Sequence, residues 1–496
     1  MTGQAADRTP IRSIVILGGG TAGWMTAAAL SKKLQANGIE IKLAESDAIG
    51  TIGVGEATIP TIHWFNQLIG LNEAEFMVST KATYKLGIEF EGWQGDGHAY
   101  FHPFGTYGGP GDGATFPHRL IRAWLGGLDA SPEDYSLTTQ LARQRRFIQP
   151  ANDPRSLLST LGYAYHFDAG LYAAFLRQQA EARGVRRHEG KVTEVEQDGE
   201  SGFIRSVSTD KGDRLTGDLF IDCSGLRGLL IEDCLKAGFE DWSHWLPCDG
   251  AWAVPTPAEA APVPYTRAIA HEAGWRWRIP LQHRVGNGYV FSSHFQSPEA
   301  ARETLLGAIG ESSAEPRLIR FTPGRRKRAW IGNVIAIGLL SSGCLEPLES
   351  TSIHLIQTGI GKLLSLFPRV GCEPLLAEQY NRIFAREMED VRDFLIMHYH
   401  FTAGRSEPMW RHCQSTAMPD ALAYRIAQFE ASGRIMLTNE ALFRDASWFA
   451  VMTGQGIRAS DYGPMLDAMP EVENLRHLEA VRAAVRQSSE RIPSID

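Results

Sequence analysis

The stretch RSIVILGGGTAG at residues 12–23 decides the fold class of this chain. Its apolar, β-branched first half is typical of a parallel strand that is buried on both faces. Three glycines end that strand, and residues 22–33, rich in Ala, Leu and Met, are predicted to form a helix. A second apolar strand is predicted at residues 39–44 and ends at Glu45, which completes a βαβ unit.

The glycines fit the pattern GxGxxG, in which each glycine has its own physical task. Gly18 permits the tight turn, Gly20 lets the backbone approach a pyrophosphate, and Gly23 allows the helix to pack closely on the strand. The helix N-terminus stabilises phosphate charge. Glu45 lies 22 residues after Gly23, where an acid can hydrogen-bond a ribose hydroxyl. Together these features predict a dinucleotide-binding site.

Two later strands favour FAD over NAD as the dinucleotide. The runs DLFIDC at 218–223 and NVIAI at 333–337 are both predicted to be buried strands, and each is followed by small residues. FAD is a long cofactor that stretches across the point where the strand order of such a sheet reverses. Several strand ends that converge on one ligand therefore predict FAD.

Composition excludes some classes of protein. The chain has 496 residues and a formal net charge of −8, which argues against a nucleic-acid binder that works by neutralising phosphates. The basic run RRKR at 325–328 is predicted to be a solvated loop. The six cysteines lack zinc-ligand spacing, so we expect no metal site and a cytoplasmic protein with reduced thiols. No apolar run approaches the length of a membrane span, so we expect no membrane association.

The remaining pattern predicts lobes that interweave along the chain. Residues 93–113 are rich in Gly, Pro and aromatic residues, which predicts a loop. A strand hairpin is predicted from 191–195 and 204–210, and helices dominate from about residue 352 onwards. Because the segments predicted to bind FAD are spread over the first 360 residues, the lobes are not expected to follow one another in sequence.

Four motifs between residues 18 and 351 carry a resemblance to a known family. The chain resembles the flavin-dependent halogenases of the tryptophan-halogenase family. The motifs are GGGTAGW at 18–24, GVGEATIP at 53–60, GWRWRIP at 274–280 and EPLEST at 346–351. The third is the specific one, because it separates these halogenases from flavin hydroxylases that share the dinucleotide fold.

The resemblance implies an α/β fold, in which an FAD-binding Rossmann-like domain of the GR2 type (PHBH-like) is interwoven with a mostly helical substrate lobe. We expect the FAD-binding module at residues 12–368, with inserted β-rich, substrate-side segments at about 90–165 and 240–320. The helical C-terminal substrate lobe is expected at residues 369–496. A homodimer is the family-level expectation for the assembly.

In the chemistry of that family, reduced FAD (FADH2) from a separate NAD(P)H-dependent flavin reductase reacts with oxygen to give a flavin hydroperoxide. Chloride or bromide attacks it and yields hypohalous acid, which travels to a lysine beside an aromatic substrate. Lys85 matches that lysine, whose ammonium can hydrogen-bond hypohalous acid or form a haloamine. Glu349 matches the acid opposite it, which can stabilise the cationic intermediate and accept the ring proton. Ser350 is expected to lie beside both.

The resemblance also assigns the halide and the substrate ring. Halide is expected on the backbone amides of Thr351 and Ser352. The family more often has Gly at the second position, so Ser352 is expected to alter backbone freedom there. His102 and Phe104 match positions that sandwich the substrate ring, and Phe443 stands where a stacking tryptophan is usual.

The FAD contacts implied by the resemblance follow the strand ends and the turns after them. Most belong to the glycine turn and to the end of the second strand. The expected contacts are Gly18, Gly20, Thr21, Ala22, Gly23, Trp24, Glu45, Ala48, Gly55, Val192, Asp222, Gly338 and Leu340.

The segment at residues 430–449 departs from the halogenases that act on free tryptophan. Those enzymes hold the charged groups of the amino acid with a Tyr-Tyr pair and a Glu, whose positions fall near Ala431, Ser432 and Thr438. None of the three can reproduce those contacts, which predicts a missing substrate lid and a more open site. We therefore expect an indole, a phenol or a larger peptide-like aromatic as the substrate.

Two other functions stay open on the sequence. An aromatic hydroxylase on the same fold would need a built-in nicotinamide reaction and would not need Lys85. A non-catalytic flavoprotein, such as a redox sensor or a scaffold, would not activate oxygen when reduced. The motif GWRWRIP together with Lys85 and Glu349 favours the halogenase.

Overall fold

The computed structural model describes residues 9–48, 56–310, 312, 314–338, 342–438 and 440–495. The chain divides into two compact units, each built from three separate segments. The first unit comprises Met1–Ala82, Phe167–Ser243 and Phe321–Met388, and the second comprises Thr83–His166, His244–Arg320 and Glu389–Asp496. The domain boundaries given above stay a prediction.

Strands and helices alternate in the first half of the chain, and helices dominate after residue 352, as predicted. The strands are β1 Ser13–Leu17, β2 Glu40–Glu45, β3 Glu56–Ala57, β4 Thr83–Lys85, β5 Gly87–Glu91, β6 Ala99–Pro103, β7 Ala164–Phe167, β8 Arg186–Glu189, β9 Val192–Gln197, β10 Ile204–Thr209, β11 Arg214–Thr216, β12 Leu219–Asp222, β13 Phe239–Asp241, β14 Gly250–Pro257, β15 Thr266–His271, β16 Gly274–Pro280, β17 Arg284–Phe291, β18 Arg317–Arg320, β19 Gly324–Arg326, β20 Trp330–Ile331, β21 Val334–Ala336 and β22 Gly343–Cys344. The α-helices are α1 Thr21–Leu34, α2 Thr61–Ile69, α3 Glu73–Ser79, α4 Thr115–Leu125, α5 Leu137–Arg143, α6 Ala169–Ala182, α7 Pro298–Ile309, α8 Ser352–Ser365, α9 Pro374–His400, α10 Pro408–Ser415, α11 Asp420–Ser432, α12 Asp445–Gly454 and α13 Glu471–Arg491.

The main sheet of the first unit has six strands in the order β20-β21-β12-β1-β2-β8. The ladder from β21 to β8 is parallel, so the carboxyl ends of β1, β2, β12 and β21 meet at one edge of the sheet. Helix α1 connects β1 to β2, which confirms the predicted βαβ unit. The order reverses at β1, and ligands of such sheets bind at this point. The predicted α/β, Rossmann-like fold class is confirmed.

The sheet is held in place by a core of β-branched and aliphatic side chains. Val15, Phe220 and Val334 come from three neighbouring strands and are fully buried in one cluster. That cluster includes Val207 of the β9–β10 hairpin, which was predicted and which forms antiparallel. Buried faces on both sides explain why these strands lack an apolar–polar alternation.

The second unit contains a seven-stranded sheet in the order β18-β14-β17-β16-β15-β5-β6. Its edge strand β6 pairs antiparallel with β5, from Gly87 opposite Pro103 to Glu91 opposite Ala99. The prediction that residues 93–113 form only a loop was therefore wrong, because β6 lies inside that range. Gly and Pro in the flanking turns make the whole range look like a loop. Strand β6 forms because it pairs with β5, which the local composition does not reveal.

The basic run at 325–328 was also wrongly predicted as a solvated loop. Arg325 and Arg326 lie in β19, are at least nine-tenths buried, and pair with Glu240 and Glu232 at 2.9 Å each. Only Lys327 and Arg328 are exposed. Buried arginines need such partners, because an unpaired charge is costly to remove from water.

Within the described part of the chain, no helix is both long enough and apolar enough to cross a membrane.

Candidate active site

The glycine turn has the geometry that a dinucleotide needs. Gly18 has a φ of +102°, and a Cβ on it would overlap the carbonyl group of Cys223 at the end of β12. A Cβ on Gly23 would overlap the carbonyl oxygen of Gly18, so α1 packs directly on the turn. A Cβ on Gly20, in contrast, would meet no atom within 4 Å. Gly20 therefore borders open space in front of the N-terminus of α1, and this space fits a pyrophosphate.

Glu45 lies at the end of β2, beside this turn. Its carboxylate accepts a hydrogen bond from Trp24 Nε1 at 3.4 Å and pairs with Arg187 and, at 3.7 Å, with Arg177. A Cβ on Gly19 would overlap that carboxylate, which explains a third consecutive glycine. The acid is thus held at the edge of the turn, where a ribose hydroxyl could reach it.

Asp222 and Gly338 end the other two strands. The buried carboxylate of Asp222 accepts hydrogen bonds from the backbone amides of Leu230 and Ile231, at 2.7 and 2.9 Å, and from the Ser224 hydroxyl. It therefore organises the turn after β12. Gly338 has a φ of +131°, which favours glycine, and its carbonyl accepts from Ser342.

The other predicted FAD contacts lie in different parts of the fold. Thr21, Ala22 and Trp24 lie in the first turn of α1. Ala48 is exposed, and its amide donates to Ser46 Oγ at 3.3 Å, while Val192 begins β9 and is half-buried. Gly55 and Leu340 lie outside the described residues.

Lys85 is fully buried at the end of the short strand β4. Its ammonium lies 4.9 Å from the ring centroid of Phe104, within range of a cation–π interaction. Lys81, four residues earlier, lies in a turn with a φ of +53°. The two lysines therefore do not form an exposed pair on one face of a helix. A fully buried ammonium is unusual, and such groups cluster at functional sites.

His166 lies on β7, which pairs with β4 in the register Thr83 opposite His166. Its two ring nitrogens contact the hydroxyls of Thr83 at 3.2 Å and Thr266 at 3.0 Å. Burial, and next the charge of Lys85, lower the pKa of His166 well below its ordinary value. A neutral imidazole therefore stands beside the lysine.

The predicted substrate residues form part of an aromatic cluster in the second unit. The rings of His102 and Phe104 are 6.4 Å apart and nearly perpendicular, and His102 lies 6.3 Å from Phe443. Phe443 stacks on Phe394 at 3.8 Å, and Trp448 meets Phe394 edge-on at 4.9 Å. Sequence reasoning found three of these rings but missed Phe394 and Trp448.

Phe394 lies in the C-terminal part of α9 and Trp448 in α12. No local signal marks them, because an aromatic residue on the apolar face of a helix is the ordinary pattern of a core residue. Their position beside Phe443 depends on how the helices of the second unit pack. Only the folded structure brings these three rings together.

The segment that precedes α8 holds the other predicted catalytic residues. Glu349 is fully buried, and Ser350 has a φ of +58°, which is rare for a residue with a side chain. Thr351 is the N-cap of α8 and makes no side-chain capping bond, and among the described residues its buried Oγ1 has no hydrogen-bond partner. A buried hydroxyl at a helix N-terminus is chemically compatible with a halide ion.

The expected effect of Ser352 on backbone freedom stays a prediction. Ser352 begins α8 in a helical conformation, which needs no glycine. The unusual backbone angle lies two positions earlier, at Ser350. Backbone strain of this kind costs of the order of 1–3 kcal/mol and tends to occur at functional sites.

The structure thus defines the class of protein: an α/β protein with the glycine turn of a dinucleotide site and a buried lysine beside an aromatic ring. Comparison with known proteins refines it. The chain matches the family model for tryptophan halogenase over residues 13–471. It is 37% identical to tryptophan 6-halogenase SttH of Streptomyces toxytricini, over 97% of this chain and 96% of SttH. Its structure resembles the flavin-dependent halogenases Xcc4156 of Xanthomonas campestris and BrvH of Brevundimonas sp. BAL3, each with a TM-score of 0.93 over 98% of this chain and 97% of theirs, at 46% and 44% identity.

The chain belongs to the tryptophan halogenase family. It is an enzyme, and its reaction is the FADH2-dependent halogenation of an aromatic substrate, as predicted. FAD, a halide and a separate flavin reductase belong to that reaction. The hydroxylase alternative and the non-catalytic flavoprotein are not favoured.

Proposed function

We propose that this halogenase acts on an indole-like aromatic rather than on free tryptophan, and that Lys85 is its catalytic lysine. The observation that carries the proposal is the fully buried Lys85 ammonium, 4.9 Å from the Phe104 ring. FAD, when bound and reduced, supplies the electrons that activate oxygen. Lys85 donates hydrogen bonds to the halogen oxidant and directs it to one carbon of the ring.

The other site residues take separate tasks in the proposal. The Glu349 carboxylate stabilises positive charge on the ring and accepts the proton that the halogen replaces. Ser350 shapes the turn beside it, and the backbone amides of Thr351 and Ser352 bind chloride or bromide. The homodimer and the cytoplasmic location stay predictions.

The aromatic cluster supports a flat, uncharged substrate. His102, Phe104 and Phe443 present ring faces and edges, and aromatic contacts add about 0.5–1.5 kcal/mol each beyond burial. Residues 431 and 432 end α11 as Ala and Ser, and position 438 is Thr, so these positions offer no carboxylate or phenol to an amino acid. We infer that the ring, and not an amino-acid backbone, is recognised.

The test is halogenation by the FAD-loaded enzyme with a generic flavin reductase, NADH and either chloride or bromide. We expect indole to gain a halogen, detected by product mass, with a kcat/KM at least about tenfold above that for free tryptophan, equal to about 1.4 kcal/mol of discrimination. Selective turnover of free tryptophan would overturn the substrate proposal. Gain of oxygen without halogen would overturn the reaction itself.

Two glycine variants test the FAD site. Gly23→Ala should lower both the melting temperature and FAD affinity, because its methyl group overlaps the Gly18 carbonyl oxygen. Gly20→Ala should leave the melting temperature of the cofactor-free protein unchanged, because its methyl group meets no protein atom within 4 Å. Its FAD affinity, measured by flavin fluorescence, should still fall about tenfold, since the methyl group enters the space proposed for the pyrophosphate. Full FAD affinity in Gly20→Ala would argue against that position.

A further inference from the structure

A hydrogen bond joins the first turns of two helices in the first unit. Thr61 begins α2, directly after the motif GVGEATIP, and its Oγ1 lies 2.9 Å from His354 Nδ1. His354 is the third residue of α8, three positions after Thr351. The side chain of His354 is 6% exposed. The contact is therefore a fixed link between the starts of α2 and α8.

The second ring nitrogen of His354 lies near the carboxylate of Glu387. This nitrogen, Nε2, lies 3.5 Å from Glu387 Oε1, an electrostatic contact longer than a hydrogen bond. Glu387 also pairs with Lys362 and accepts a hydrogen bond from Thr358 Oγ1 at 3.0 Å. An ionised carboxylate only accepts, so it favours a proton on Nε2 and leaves Nδ1 to accept from Thr61.

The segment that this link holds is strained. Ser350 has a φ of +58°, and its amide donates to the carbonyl of Pro347 at 3.0 Å. Thr351 gives α8 no side-chain cap. A residue in a sparsely populated backbone region keeps that conformation only when its surroundings fix it. The side chain of His354, one turn further along, ties the start of α8 to the start of α2.

We infer that His354 is a positioning residue: held between Thr61 and Glu387, it fixes the first turn of α8 so that the backbone amides of Thr351 and Ser352 keep their halide-binding positions. This inference rests on the proposed function, which assigns halide to that backbone. His354 does not touch the reacting atoms. Its effect passes through the backbone, and so does that of Thr61.

Thr61→Val and His354→Ala test the two ends of the link in the FAD-loaded protein. Each should raise the halide KM by about 3- to 30-fold with a smaller change in kcat, the range expected for residues that contact no ligand. Each should shrink the rise in melting temperature that sodium bromide produces. Hydrogen exchange of backbone amides at residues 346–355 should become faster. The double variant should be no worse than the single ones, because both remove the same link.

Two further variants separate positioning from general stability. Thr358→Val removes a hydrogen bond to Glu387 without touching the link, so it should leave the halide KM unchanged. His354→Asn, whose amide can replace Nδ1, should recover at least half of the lost bromide-induced stabilisation. Thr61→Val removes only a hydroxyl, so it keeps the test valid if His354→Ala fails to fold.

The two possible failures are distinguishable. Absence of halogenation by the parent enzyme would refute the proposed function. Halogenation by the parent, with a halide KM and amide exchange in Thr61→Val equal to those in Thr358→Val, would refute the positioning role alone.

Discussion

Replacing Lys85 with alanine or methionine is expected to abolish halogenation while FAD remains bound. Lys85 is fully buried, and its ammonium lies over the Phe104 ring. Removing a positioned proton donor and positive charge from a buried site costs on the order of 10³-fold in kcat. Lys85→Met has a side chain of similar length and fills the same buried space, so it separates loss of the ammonium from loss of packing.

The measurement compares halogenated product, by mass spectrometry, with the consumption of reduced flavin. Consumption should continue in Lys85→Met, because the oxidant is made without this residue, and product should disappear. Lys81→Met is the matched control, since Lys81 is an exposed lysine four positions earlier. Lysine and methionine are both unbranched at Cβ, so the substitution adds no strain at the φ of +53° that residue 81 adopts. Lys81→Met should therefore retain full activity. Halogenation by Lys85→Met would remove Lys85 from the catalytic role.

The prediction from sequence was reliable where local chemistry determines structure. The glycine turn and the acid at the end of β2 each follow from rules that act within one βαβ unit. Gly18 and Gly23 have the close contacts that such rules require. Lys85, in contrast, was assigned through the resemblance to the family and stays a prediction. Its burial depends on β7, which lies about 80 residues further along the chain.

Prediction failed where a distant partner decides the outcome. Arg325 and Arg326 are buried because β13 brings Glu240 beside them and Glu232 lies within reach, and neither acid is visible from a run of basic residues. The strand β6 exists because β5 pairs with it. The aromatic cluster needs α9 and α12 to bring Phe394 and Trp448 to Phe443.

Replacing Glu387 with glutamine is expected to lower the free energy of unfolding by about 3 kcal/mol at pH 7. The side chain is 16% exposed and pairs with Lys362, His354 and Thr358. Burial alone raises the pKa of this carboxyl, but Lys362 and His354 outweigh burial and hold the pKa at about 2, against 4.5 ordinarily. Glutamine leaves the buried ammonium of Lys362 without its counter-charge, and this accounts for most of the expected loss of stability.

The loss of stability caused by Glu387→Gln should become smaller as the pH falls. Because the pKa is lower in the folded protein, the unfolded chain binds more protons below pH 4.5, and the contribution of Glu387 to stability falls as the pH drops towards 2. Thermal and denaturant unfolding at pH 7 and pH 3.5 should therefore show a difference between parent and Glu387→Gln that is roughly 1 kcal/mol smaller at the lower pH.

Glu133→Gln is a control in which the pKa of the replaced carboxyl is raised rather than lowered. Burial, partly offset by a hydrogen bond from the Phe101 amide, raises the pKa of Glu133 to about 7. A raised pKa favours the protonated carboxyl in the folded state, so its stabilising effect is present below pH 4.5 and is lost as the pH rises through 7.

Arg143 lies 3.2 Å from Glu133 but keeps Glu89 as a second acidic partner, so the loss of this ion pair offsets only part of the gain. Glutamine should therefore stabilise the protein at pH 8, by about 1 kcal/mol, and change little at pH 4. If both variants shifted stability equally at every pH, burial and charge pairing would not set the two pKa values. The buried network around Glu387 would then be held by packing rather than by its charges.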